Sequence, residues 1–490
     1  MSATPAPATQ ESAPELLRMR EKFSYGFGDL ASVLYWQTIS AFLAYFYTDV
    51  FGIAAASAGT LILLSRSTDA FFDPLMGMIA DRTQTRWGKF RPYLLWCCVP
   101  MAAMGVLTFT VPDLAPTGKL IWAYVTFNAL MLIYTAINIP YTAMLGVISP
   151  NPNERTTLSS IKFVGAFSAN IIISGTMLPM VKALGGQNAA RGWQLSFVVI
   201  GLAAIVFFLI TFLNTRERVV PPKAQKTSMA RDLGDLFTNG PWIVLLFTTI
   251  AFILFVSLRL IVTVYYFKYY VSDQTITLPS FLPKVGGTQV WHMEGLVSSF
   301  GTTGQFAALI GVMLVPFFAR ITGRKIAFIC LFVVAISCTA GTYLFRPDQL
   351  LLIFGINILG SLTGGPLSAL LWAMYADTAD YAEWKRGRRA TGLVFSASIF
   401  STKQGWSLGS WIALVLMSSV GFVANAVQTP QSLNGLVKLM SIYPAAIGVL
   451  SLLILMFLYP LNEKRMSAIA ADLKQRRAAE AAPGPAQAAA

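Results

Sequence analysis

The chain has 490 residues, of which 55% are apolar and only 12% charged, with a formal charge of +14. Soluble domains carry about 25% charged residues, so this composition excludes an ordinary soluble protein. Repeated apolar runs near twenty residues, separated by short polar breaks, define instead a polytopic helical membrane protein.

Residues 1–17 are rich in Ala, Pro, Ser and Thr and are expected to be disordered. No cleavable signal peptide is apparent, because the first apolar run is too long and follows this leader. An N-terminal half, 18–213, then holds six expected spans. The first, roughly 23–50, carries Asp29, Tyr35, Trp36 and Gln37, a polar set unusual for a helix facing only lipid. Asp29 lies near enough to the span's start to snorkel to the interface; the other reading makes it a substrate ligand.

The second span, about 57–80, places Arg66, Asp69 and Asp73 at spacings of three and four, hence on one helical face. A charge at the bilayer centre costs about 2.5 to 3.5 kcal/mol on insertion scales, so three within three turns need a reason. The reading favoured here is that Asp69 and Asp73 hold a coupling cation. The plain alternative is a structural ion pair between Arg66 and one aspartate, which leaves the second carboxylate without a partner. Pro74 removes a backbone hydrogen bond beside Asp73 and favours a kink.

After a basic loop come a third span, about 92–111, and a fourth, about 119–147. The fourth carries Tyr134, Thr135, Asn138, Pro140 and Tyr141, hydroxyls and an amide suited to lining a water-filled cavity. A threonine that merely caps its own helix backbone is the alternative for Thr135. The fifth span, about 158–184, has Lys162 in its first turn, and the sixth covers about 193–213. Residues 214–240 form the longest polar stretch and divide the chain.

The C-terminal half, 241–461, repeats the pattern. The seventh span, about 241–271, holds Arg259 deep in an apolar run, followed by Tyr265, Tyr266 and Tyr269. A loop of about twenty residues is expected to cover the outer mouth. The eighth, ninth and tenth spans cover about 293–319, 326–345 and 349–375, the last with a glycine-rich bend at 360–366 and Trp372. A dense charged loop is expected at 377–389. The eleventh span, about 391–420, carries Lys403 and Gln404, the twelfth covers about 436–461, and 462–490 is a tail ending in Ala/Pro low complexity.

Charge placement fixes the expected topology. With the N terminus inside, 26 of the 36 Lys and Arg fall on the inner side, 7 on the outer side, and Arg66, Arg259 and Lys403 within spans. That bias places both termini in the cytoplasm and makes the number of spans even. The positive charge serves orientation and contact with anionic lipid, so no nucleic-acid partner is expected. Cys97, Cys98, Cys330 and Cys338 sit in apolar runs without disulfide or metal spacing, and His292 is the sole histidine. No cofactor is expected, and no metal beyond a Na⁺ at Asp69 and Asp73.

Two carboxylates one turn apart in low dielectric cannot both stay ionised cheaply, so a proton or a bound cation must neutralise the pair. Oxygen ligands of this kind suit H⁺ or Na⁺ at the midplane site of an alternating-access carrier. Lys403 is expected to approach the pair in the empty state, with a plain salt bridge as the alternative. Trp36, Tyr134, Tyr141 and Trp372 are candidates for stacking on sugar faces, or else membrane packing residues.

Three stretches, DAFFDPLMGMIADRTQTRWGKFRPY, NERTTLSS and ADTADYAEWKRGRRATG, resemble the signatures of the glycoside–pentoside–hexuronide:cation symporters, a family with the major facilitator fold. The resemblance runs from Tyr25 to Lys403. It implies an all-α membrane protein of twelve transmembrane helices in two six-helix halves. It also implies that Asp69 and Asp73 are the cation carboxylates, that Thr135 is a further ligand, and that Lys403 and Arg66 serve coupling. The melibiose-type members have asparagine before the second aspartate, where this chain has Phe72, which favours H⁺ over Na⁺. They also differ at Val33, Asn138 and Thr142, so galactoside recognition does not carry over. Asp29 and Arg259 look like the branch that handles uronides, xylosides and oligosaccharides, and Arg259 with Arg66 is suited to pairing with a uronic carboxylate.

The expected function is therefore sugar–cation symport by a monomer in a bacterial inner membrane, with Asp29, Trp36, Gln37, Tyr134, Asn138, Tyr141, Lys162, Arg259, Trp372 and Gln404 as substrate residues. A lysolipid carrier of the same fold is the alternative, and a non-transporting sensor the remote one, for want of a soluble output domain. An integral membrane enzyme is disfavoured because no nucleophile–base or metal constellation appears.

Overall fold

The computed structural model describes residues 17–149, 151–218, 238–278, 287–386 and 391–481. The expected leader up to residue 16, most of the central loop and the last residues of the tail lie outside the described residues.

The N-terminal half comprises α1 (Met19–Tyr45), α2 (Ala55–Arg82), α3 (Arg91–Thr108), α4 (Pro116–Ile148), α5 (Pro152–Gly185) and α6 (Ala189–Asn214). The C-terminal half comprises α7 (Gly240–Tyr265), α8 (Met293–Met313), α9 (Val315–Thr322), α10 (Arg324–Gly341), α11 (Leu350–Arg386), α12 (Thr391–Ser419), α13 (Pro430–Met440) and α14 (Ile442–Leu458). α15 (Glu463–Ala481) follows. Eight of the described helices are long and apolar enough to cross a membrane, counting α13 and α14 as one. Of the other long helices, α1, α2 and α12 carry Asp29, the Arg66–Asp73 face and Lys403. Leu351 (89% exposed), Phe457 (72%) and Leu213 (70%) point outward, which suits lipid and would be costly in water. The chain is a multi-pass helical membrane protein.

We call the end where α1 begins the near end and the opposite end the far end. At the far end α1 and α7 both finish in a π-helical turn, Phe46–Val50 and Tyr266–Val271. A short hairpin, β1 (Gln274–Leu278) paired antiparallel with β2 (Gly287–Trp291), leads from α7 to α8. These strands were not expected from the apolar character of the loop.

Several boundaries differ from expectation. The expected eighth span breaks at Leu314 and the twelfth at Ser441, each giving two helices. The stretch from 377, expected as a charged loop, is helical as far as Arg386, because Asp377 is held by Arg324 from α10 and the helix is extended rather than ended. The tail is also not simply low complexity: α15 packs on α11, with Trp384 Nε1 donating to Asp472 at 2.6 Å.

Within the N-terminal half α1 packs against α5 and α6. A Cβ on Gly165 would lie 2.5 Å from the Gly26 carbonyl oxygen, so glycine permits the close α1–α5 crossing that brings Asp29 and Lys162 together. In the C-terminal half Gly409 plays the same part, since a Cβ there would meet Ser257 of α7. The halves meet along α2 with α12 and α5 with α8, with α1 touching α7.

Candidate functional site

α2 presents Arg66, Asp69 and Asp73 inward on one face, as their spacing requires. α12 crosses it and delivers Lys403, whose Nζ lies 2.9 Å from Asp69 Oδ2 and 2.5 Å from Asp73 Oδ2. From α4, the Thr135 hydroxyl donates to Asp69 and stands 3.3 Å from Asp73 Oδ1. Four side chains from three helices thus form one cluster, with one ammonium shared by two carboxylates. Asp69 is buried at 3% exposure, whereas the side chains of Asp73 and Lys403 each keep 18%. The second carboxylate therefore remains reachable.

Arg66 does not make the ion pair that the structural alternative required. Its Nη2 donates to Ser40 at 3.2 Å, its guanidinium lies 5.0 Å over the Trp36 ring, and Nε and Nη1 have no hydrogen-bond partner. Trp36 stacks on Tyr134 at 6.0 Å and meets Trp406 of α12 edge-on at 6.3 Å. The result is an aromatic cluster spanning both halves, one turn from the carboxylates. Trp406 was missed in the sequence because tryptophan is ordinary in an apolar helix; its spacing of three from Lys403 was the available signal.

A third group lies in the N-terminal half. Asp29 does not snorkel to the interface: it is buried at 7% exposure, with Lys162 Nζ 3.7 Å away. Tyr141 is fully buried, stacks on Tyr25 and donates to the Tyr25 carbonyl at 2.8 Å. It is a packing residue that walls the Asp29–Lys162 pair, and its hydroxyl is already used. Asn138 and Gln404 are half-buried, and Gln37 is buried. Trp372, 38% exposed, packs on Tyr375 and is not brought to the cluster.

Arg259 stands apart on α7. Its Nη2 donates to Asn357 Oδ1 at 3.0 Å, and Asn357 Nδ2 in turn donates to the Phe300 carbonyl at 3.0 Å. Asn357 is buried at 4% exposure and was not singled out in the sequence, since a lone amide in α11 gives no pattern.

Behind Asp69, between α2 and α4, lies a cavity of about 70 Å³ lined by Ser65, Asp69, Phe72 and Asn128 among others. Phe72 thus faces the aspartate with a ring and offers no oxygen ligand.

At the far end a second polar cluster joins the halves. The fully buried Asp49 side chain of α1 accepts from Lys268 Nζ at 2.6 Å and from the Tyr269 hydroxyl. Lys268 also donates to Asn425 at 2.8 Å, and Asn425 Nδ2 donates to the Asp49 carbonyl at 2.7 Å. Thr48 and Tyr265 are bonded at 2.8 Å, and Lys182 of α5 pairs with Glu294 of α8 at 3.1 Å. This clasp was not foreseen, because a charge at the end of a span is cheap and draws no notice.

Residues 24–285 and 287–463 match the family described as MFS/sugar transport protein. The chain is 37% identical over 490 residues to the isoprimeverose transporter of Lactiplantibacillus pentosus, covering 98% of this chain and 97% of that one. It is 36% identical over 469 residues to the putative glycoside/cation symporter YagG of Escherichia coli, covering 95% and 96%. Among solved structures, a bacterial homologue of the human lysosomal transporter Spinster, inward-facing and unoccupied, superposes with a TM-score of 0.62 at 14% identity, over 90% of this chain and 95% of that one.

Proposed function

Because the chain belongs to the MFS/sugar transport protein family, we propose that it is a secondary active symporter that takes up a glycoside or oligosaccharide together with a coupling cation, by alternating access. The observation that carries this reading is the shared contact of Lys403 with Asp69 and Asp73. A buried pair of carboxylates needs compensating positive charge. In the empty site Lys403 supplies it, and α12 is thereby tied to α2. When a cation binds the pair, Lys403 is released, and the tie between the halves loosens. Binding a cation and moving the halves are then one event, which is what coupling requires.

The coupling ion in this reading is H⁺. The ligand set comprises two carboxylates and one hydroxyl, and Phe72 adds none. An alkali cation needs a full shell of oxygens, which this set supplies only with both carboxylates bidentate, whereas a proton needs only one carboxylate oxygen. The sugar occupies the central region where Trp36, Tyr134 and Trp406 offer ring faces, and where Asp29, Lys162, Gln37, Asn138 and Gln404 offer hydrogen bonds. With both termini in the cytoplasm of a bacterial inner membrane, the closed far end is the outer face, and the protein, acting as a monomer, rests inward-facing.

The test is uptake of labelled methyl β-xyloside into vesicles carrying an imposed proton gradient, with choline in place of sodium. Accumulation that persists without sodium and collapses with a protonophore is the expected result. A strict sodium requirement would overturn the proton assignment, and failure of every glycoside to compete would overturn the substrate reading.

A further inference from the structure

Two cavities lie along the seam between α2 and α4. The inner one, behind Asp69, has Ser65, Thr68, Asp69 and Asn128 in its lining. The Ser65 hydroxyl is buried, at 1% exposure, and has no hydrogen-bond partner among the described residues. Asn128 Nδ2 donates to the Tyr124 carbonyl at 2.8 Å, which leaves the amide oxygen for the cavity. Apolar voids stay dry, whereas a polar one that offers two to four partners holds water. Its volume of about 70 Å³ has room for about two molecules.

Asp69 stands between that cavity and the Lys403 bridge. On the bridge side it accepts from Thr135 and, at 2.9 Å, from Lys403. A carboxylate has about four lone-pair sites, so both oxygens can still accept from a water behind them. A hydronium in that place transfers its proton to a carboxylate oxygen: one O–H bond breaks, another forms, and a neutral water stays behind. The aspartate pair then carries one negative charge fewer, and its hold on Lys403 weakens from the rear.

The outer cavity continues the seam toward the far end. It measures about 260 Å³ and is lined by Ser57, Thr60 and Tyr124 among others, with Thr60 exposed. Ser57 to Asp69 is roughly 18 Å along α2, far more than one hydrogen bond spans. Hydroxyls of Ser57, Thr60, Ser65 and Thr68 mark that length on α2, and Tyr124 and Asn128 lie one turn apart on α4. Among the described residues the two linings share none, so the seam holds two chambers rather than a continuous channel. A coupled carrier needs that break, because an open channel dissipates the gradient. The Asp49–Lys268 clasp lies at the ends of α1 and α7, away from this seam.

We infer that the α2–α4 seam is the driving proton's own route from the outer face, ending in a water held by Ser65 and Asn128 against Asp69 and separate from the path of the sugar. This rests on the proton-symport reading above and adds the site through which the proton arrives.

The experiment compares two modes of transport of labelled methyl β-xyloside in right-side-out vesicles. Net uptake driven by a proton gradient needs a proton to arrive and leave, whereas exchange against internal xyloside needs neither. Asn128→Leu fills the inner cavity with hydrocarbon, and Ser65→Ala removes one hydroxyl. Each is expected to slow net uptake about tenfold, a modest share of what a positioned proton carrier contributes, while exchange changes less than about threefold. Ser65→Thr restores a hydroxyl and is expected to keep net uptake near the wild-type rate. Ser57→Cys probes the outer chamber: an impermeant thiol reagent added outside is expected to slow net uptake and spare exchange, relative to the wild type treated alike. Radiolytic hydroxyl-radical labelling reads the water itself. Met131 lines the inner cavity at 2% exposure, and is expected to be oxidised in the wild type and protected in Asn128→Leu. Equal loss of both modes makes the cavities structural and overturns the inference. Wild-type net uptake in every variant, or an unoxidised Met131, also overturns it, and each of these results leaves proton symport standing. Where Asn128→Leu fails to fold, Ser65→Ala decides. Wild-type uptake that runs on sodium and not on protons overturns the proton reading and the route together.

Discussion

The two ends of the bundle are held by different kinds of contact. At the far end the hydrophobic core is continuous across the halves: Tyr265, Phe267, Phe300, Leu414 and Leu436 belong to the same cluster as Phe46, Phe109 and Trp193. The Asp49–Lys268–Asn425 clasp and the Lys182–Glu294 pair lie over it. Toward the near end the C-terminal half has a separate core, around Trp242, Phe328, Met374 and Tyr459. Near this end, among the described residues, Glu21 pairs with Arg218, Lys22 with Glu154 and Arg324 with Asp377. The far end is closed by a core and a clasp shared between the halves, whereas the two cores are separate toward the near end. In the proposed cycle the near end is the one that parts, and the Lys403 bridge at mid-depth is the tie that a cation undoes.

The largest effect is expected from removing that bridge's chemistry. Asp73→Asn should abolish accumulation against a gradient while the protein still folds, and concentrative uptake at the wild-type level would remove the coupling role. Next is the clasp. Lys268→Met leaves the buried Asp49 carboxylate without its ammonium, a loss of about 3 to 5 kcal/mol in comparable buried pairs. Spin-label distances between the far ends of α1 and α7 should lengthen, with the far-open population rising at least tenfold; an unchanged distribution would show that the apolar core alone closes this end.

A smaller change is expected from Phe72→Asn, which offers Asp69 and Asp73 an amide oxygen. Sodium should then stimulate uptake severalfold, against no expected effect on the wild type. The smallest effect is expected at the near end. Glu217 accepts the backbone N–H groups of Lys89, Phe90 and Arg91 at 2.8 to 2.9 Å, seating a carboxylate at the start of α3. Glu217→Gln should cost about 0.3 to 1 kcal/mol through the helix dipole, lowering the thermal midpoint slightly with uptake unchanged. A large loss of uptake would mean that near-end bracing also controls the transport cycle.

Much of this is legible in the sequence. Charges inside apolar runs are expensive, so Asp69, Asp73 and Lys403 stood out from position alone, and helical spacing put the first two on one face. Pairing was less legible. The sequence allowed Arg66 or Lys403 as the aspartates' partner, and only the crossing of α2 by α12 decides between them. Tyr141 was open to two readings for a similar reason, because an aromatic ring in an apolar helix stacks on a sugar face or packs on its neighbours equally well. Asp49 sits where a span meets the interface and looks solvated in sequence, whereas packing between halves buries its side chain completely. The breaks at Leu314 and Ser441 each lie just ahead of a proline, Pro316 and Pro444, a stop signal that the apolar periodicity ran through. The helical tail α15 is polar overall and shows its purpose only where Asp472 meets Trp384.

In the proposed cycle the carboxylate pair carries the driving ion. The direct measurement is the pH inside sealed, sodium-free proteoliposomes, followed with an entrapped dye as substrate is added outside without an imposed gradient. Acidification that tracks sugar entry is expected in the wild type and is expected to be absent in Asp73→Asn. Sugar entry with no change of internal pH in the wild type would contradict it.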